Sequence, residues 1–91
     1  MKIYAICHDL KDPGRNYAPL HQAIKGLSGI WWRYLNSTWL VRADMSAGEI
    51  REILRDKSNP DDNLLVIRVT REYAGWLPEK AWDWLRKYPP E

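Results

Sequence analysis

Phenylalanine is absent and cysteine occurs once, while six tryptophans and five tyrosines supply all the aromatic rings. Core volume must therefore come largely from rings that carry an N–H or O–H, and several of these belong at a surface or interface where that group finds a partner. The single thiol, Cys7, excludes an internal disulfide, and its place in an apolar strand predicts a small buried side chain in a reducing cytoplasm. No apolar run approaches membrane-spanning length, and the residues after Met1 do not form a basic segment followed by an apolar one. Neither a membrane span nor a secretory signal is expected. Charge of one sign is lacking too: 14 Lys+Arg oppose 12 Asp+Glu, a net charge of +2. Any electrostatic footprint must be local rather than global. Zinc-ligand spacing, a Ser-His-Asp set and a Cys-His pair are all missing, because His8 and His21 stand apart in the chain.

What is present fits one small domain, residues 1–91, with a core over 2–70 and a helical extension over 76–88. Lys2 to His8 is rich in β-formers with apolar residues on both faces, as in a central strand. It ends at Asp9 and runs into the turn Asp12-Pro13-Gly14. Asn16 is the expected N-cap of a helix whose apolar positions Tyr17, Leu20, Ala23, Ile24 and Leu27 recur at three- and four-residue spacing, with Gly29 as its stop. Ile30 to Leu35 and Thr38 to Arg42, joined by Asn36-Ser37, read as a hairpin. Ser46-Ala47-Gly48-Glu49 is a capping box ahead of a second amphipathic helix that ends near Lys57. Leu64 to Val69 is a fourth strand, and Pro78 opens a last helix carrying Ala81, Trp82 and Leu85.

This order predicts an α+β, ferredoxin-like βαββαβ fold: two helices cover one face of a four-stranded antiparallel sheet, and a C-terminal helix is added. The second sheet face, bearing Trp, Tyr and apolar residues, must meet that helix, a second subunit or a ligand. Alternation sends Trp31 and Trp32 to opposite faces. Trp76, Trp82 and Trp84 are expected to dock the last helix on its own sheet or on a partner.

The same residues resemble a known family. The βαββαβ order, the first strand ending His8-Asp9-Leu10, the third strand opening Ser37-Thr38-Trp39-Leu40-Val41, and Asp62-Asn63 leading into Leu64-Leu65-Val66-Ile67 resemble the small CRISPR-associated proteins that form the dimeric subunit of the spacer-integration complex. The VapD-type toxin ribonucleases share that fold. The resemblance covers roughly residues 2 to 70. It implies a homodimer in which two copies of Asp9 face each other and share Mg²⁺ as catalytic metal ligands, hence a metal-dependent endonuclease acting on RNA or DNA. It equally implies non-catalytic members, and a dimeric adaptor that contacts protein through an aromatic sheet face, within a defence or toxin–antitoxin assembly, is the alternative. Family members often end in a fifth strand, whereas this C-terminus reads as a helix.

Read from the residues alone, Asp9 stands between two roles, metal ligand and turn former. Lys11 and Arg15 beside the first turn, and Arg33 and Arg42 in the hairpin, are the candidate phosphate contacts of a nucleic-acid interface. His8 reads as a structural histidine, and His21 shares the exposed face of the first helix with Lys25. Asp61 and Asp62 follow Asn59-Pro60, where aspartate favours turn geometry. Arg51 and Arg55 lie on one helix face with Glu52 and Asp56 nearby. Trp31, Trp32, Tyr34 and Trp39 invite comparison with RNA-recognition sheets, but Ser37 to Arg42 lacks their basic-Gly-aromatic signature.

Overall fold

A computed structural model of the chain describes residues 1–11 and 14–91. Its elements are β1 (Lys2–Asp9), α1 (Ala18–Lys25), β2 (Trp31–Leu35), β3 (Thr38–Ala43), α2 (Ala47–Arg55), β4 (Asn63–Val69) and α3 (Glu79–Lys87). The four strands form one antiparallel sheet in the order β2-β3-β1-β4. The turn expected at Asp12-Pro13-Gly14 lies, for Asp12 and Pro13, outside the described residues.

Local chemistry accounts for the helix limits. The N-cap of α1 is Tyr17, one residue after the expected Asn16, whose Oδ1 still accepts a bond of 3.0 Å from the Ala18 N–H at the first helical position. After Lys25 the chain turns out of the helix, and Gly29 takes φ 79°, a conformation glycine reaches without a Cβ penalty. At α2 both halves of the capping box are made, Glu49 N–H to Ser46 Oγ and Ser46 N–H to Glu49 Oε1, each at 3.1 Å. Pro78 stands just outside α3, in extended geometry at its N-cap.

β1 lies between β3 and β4, which explains its apolar residues on both faces. Tyr4 and Ile6 point into a core closed by Leu20 and Ile24 of α1, Ile50 and Leu54 of α2, and Trp39 and Val41 of β3. Ile3 points the other way, into a second core with Trp32, Leu40, Ala81 and Leu85. The second face is thus covered by α3, with Trp82 and Trp84 packed against it. Each large side chain buried in these cores contributes about 1.5–3 kcal/mol. The cover is incomplete: Leu65 and Ile67 of the edge strand β4 stay exposed. Trp76 does not dock the helix on its own sheet, the first of its two expected roles. It is 98% exposed, because the segment between β4 and α3 runs without regular structure and holds its ring away from both cores.

Candidate nucleic-acid interface at the end of β1

Antiparallel pairing brings three connections to the end of the sheet where β1 stops. Cys7 is opposite Thr38 and Asp9 opposite Asn63, so the β2–β3 turn and the start of β4 flank the tip of β1. The His8 N–H donates 2.9 Å to the Ser37 carbonyl, pinning the hairpin turn to this rim.

Asp9 is the last residue of β1, held in the ladder rather than in a turn. Its exposed carboxylate pairs with the Lys11 ammonium. That hydrogen bond, and then the charge of Asp9, raise the Lys11 pKa above its usual value. The backbone N–H of the same lysine donates to Asp62 Oδ1 at 2.7 Å. Asp62 also accepts from Tyr17 Oη and from the Asn59 N–H, each at 2.8 Å. Burial pushes the Asp62 pKa up, but these three hydrogen bonds, with the nearby charge of Arg15, outweigh it and hold the pKa below the usual carboxylate value. Asp62, read from sequence as an ordinary turn residue, therefore ties the β1–α1 loop to the α2–β4 loop. The capacity of one carboxylate for several donors is the physical reason, and the Asp-Asn ahead of β4 was its only trace in the sequence.

Arg15 stands near Asp62, its guanidinium 5.9 Å from the centre of the Tyr17 ring. Arg33 reaches the rim from β2. Between the pairs Trp32–Leu40 and Leu35–Thr38 the register shifts, so Arg33 and Tyr34 together face Trp39 in a β-bulge. The bulge lays the Arg33 guanidinium on the Trp39 ring, 4.9 Å from its centre, and Nη2 donates 2.6 Å to the Asn36 carbonyl. Arg42 is not brought to this group. It pairs with Ile3 at the far end of β1 and sits over Tyr88, 5.2 Å from the ring centre.

Beneath Arg33 lies a cluster that separation in sequence concealed. His8 points into the helix-covered face, where its Nε2 accepts 3.2 Å from Trp39 Nε1–H. His21 is half-buried rather than solvated, because α1 lays it 5.5 Å from the Trp39 ring and 6.5 Å from the His8 ring, centre to centre. The two histidines, expected to stand apart, are neighbours. Burial, then the charges of Arg33 and His21, lower the His8 pKa; burial, then Arg33 and Lys25, lower that of His21. Both shifts favour the neutral imidazole. The His21 Nε2 is buried without a hydrogen-bond partner among the described residues.

Arg51 and Arg55 are both bound to Glu52 and belong to an ordinary salt-bridged helix surface. Among the described residues no group of three or more His, Cys, Asp or Glu side chains is placed to hold a metal ion. No helix among the described residues is long and apolar enough to cross a membrane. No protein-family model matches the chain, and no solved structure matches it significantly.

Proposed function

We propose that this chain is a ferredoxin-like nucleic-acid-binding protein that acts as a homodimer and meets phosphates at the rim where β1 ends. The observation that carries this reading is the presence of three basic residues at the end of the sheet where β1 stops: Lys11 paired with the exposed Asp9 carboxylate, Arg15 near Asp62, and Arg33 on Trp39 beside His8. The element order, with strands arranged β2-β3-β1-β4, supports the ferredoxin-like assignment. A near-neutral chain binds a polyanion only through such local patches.

The Asp9–Lys11 pair suggests how the rim changes on binding. A phosphate oxygen competes with Asp9 for the Lys11 ammonium, and the freed Asp9 carboxylate would be this chain's ligand for Mg²⁺. Such an ion would supply activation of a water and stabilisation of the charge developing on phosphorus. Arg15 and Arg33 hold flanking phosphates, and Asp62 keeps the Lys11 backbone in place while its side chain changes partner.

The test is incubation of RNA and DNA with the wild type and Asp9→Ala, each in Mg²⁺ and in chelator. Metal-dependent cleavage that disappears in Asp9→Ala supports the nuclease reading. Equal activity in every arm, or none, removes it and leaves binding alone. A second reading, a dimeric adaptor for protein, is favoured by one observation: Leu65 and Ile67 of the edge strand β4 are exposed, as is Trp76 in the segment that follows it.

A further inference from the structure

We infer that the surface where Lys25 of α1 meets Trp31 and Arg33 of β2 is a docking track for single-stranded nucleic acid, in which a base stacks on the Arg33 guanidinium and Lys25 takes a neighbouring phosphate. This deepens the reading above by naming the substrate class and adding Lys25 and Trp31 to the residues that meet it.

Two cation–ring pairs form this surface. Lys25 Nζ lies 5.0 Å from the centre of the Trp31 ring, and Arg33 lies 4.9 Å from that of Trp39. The two indoles touch, with centres 5.2 Å apart. Trp31 and Arg33 are two residues apart on β2, about 7 Å along the strand. Neither Lys25 nor Arg33 makes an ion pair with a carboxylate among the described residues, whereas Lys11, Arg51, Arg55 and Arg86 all do. The charge of Arg33 lowers the pKa of both neighbouring histidines, and that of Lys25 lowers the pKa of His21.

Arg33 is also pre-organised. The bulge turns it onto Trp39, and the Asn36 carbonyl fixes its Nη2, so one face of the guanidinium is seated and the residue as a whole is exposed. An arginine plane held in this way is a stacking surface for an unpaired base, and the adjoining ammonium suits a backbone phosphate. A duplex hides its base faces within the stack. An acidic peptide would satisfy the charges but leave the guanidinium face unused.

Binding of a labelled single-stranded RNA, followed by anisotropy across a salt series, tests this in the full chain. Arg33→Gln and Lys25→Gln each remove one positive charge from the track, and each should flatten the dependence of log affinity on log salt by about 0.7. Arg33→Lys keeps the charge and loses the stack, so it should keep most of the slope and still bind roughly tenfold more weakly. Unchanged denaturation midpoints establish that the variants fold. Wild-type binding with wild-type slopes in Arg33→Gln and Lys25→Gln would overturn this inference and remove Arg33 from the proposed interface, leaving the proposed function to Lys11 and Arg15. Failure of the wild type to bind any nucleic acid at low salt would overturn both. Equal affinity for a polyglutamate probe, abolished in the same variants, would assign this surface to an acidic protein instead.

Discussion

Trp39 joins the core to the surface chemistry. Its indole fills the helix-covered core, its N–H satisfies the buried His8 Nε2, and its outer face carries Arg33. Trp32 is buried as well, but its N–H has no partner among the described residues. The two rings should therefore respond differently to loss of the N–H. Trp39→Phe leaves a buried acceptor unpaired as well as a void and should cost about 2–4 kcal/mol, while Trp32→Phe removes a donor that was already unsatisfied and should cost less. Urea denaturation of both variants measures the difference. The histidines add a pH dependence. Both pKa values are lowered in the folded state from 6.5, so in the window below 6.5 the unfolded chain binds more protons. Stability should be complete above that pH, fall as the pH drops toward the folded-state values, and lose a further increment in the acid range as Asp62, whose pKa is also lowered, becomes protonated. Denaturation midpoints at about pH 7.5 and about pH 5.5 check the first step, and His21→Asn should reduce the drop between them.

At the scale of elements, what could be read from sequence was what short-range chemistry determines. Ser46 and Glu49 specify the start of α2 within four consecutive residues, and the structure makes both bonds of the box. Ser46→Ala should destabilise the fold by about 1 kcal/mol, measurable as a lower denaturation midpoint. The two-faced pattern of β1 likewise announced a central strand. The bulge at Arg33 and Tyr34 left no such signal, since a bulge exists only relative to a partner and Trp39 is the residue it is counted against. The His8–His21 cluster escaped for a related reason: the two are thirteen positions apart and meet only once α1 folds back over β1. Asp9 was legible as a strand-end carboxylate, but its pairing with Lys11 and the anchoring of that lysine by Asp62 depend on loop closure. Arg42 resembled the other hairpin arginine in sequence, yet the antiparallel register carries it to the opposite end of the sheet.

The whole molecule is a sheet with one fully covered face and one partly covered face. α3 shields the second face over Trp32 and Leu40, whereas Leu65 and Ile67 on the β4 side, together with Trp76, remain open to solvent. Isolated exposed apolar residues are common, but two alternate residues of one edge strand, with a fully exposed Trp76 in the segment that follows, suit an interface. If they form the dimer interface, light scattering should give about twice the 10.8 kDa chain mass, and Ile67→Glu combined with Trp76→Ala should return it to the single-chain value. Trp76→Ala alone should leave the stability of an isolated chain within about 0.5 kcal/mol, as its ring touches neither core. The proposed function, however, turns on the rim, and the decisive measurement there is binding of single-stranded RNA and DNA to the wild-type chain as a function of salt. Affinity should be measurable at low salt and fall linearly in log–log form as salt rises. Absence of binding at low salt, where phosphates are held most strongly, would rule out a nucleic-acid role for the rim.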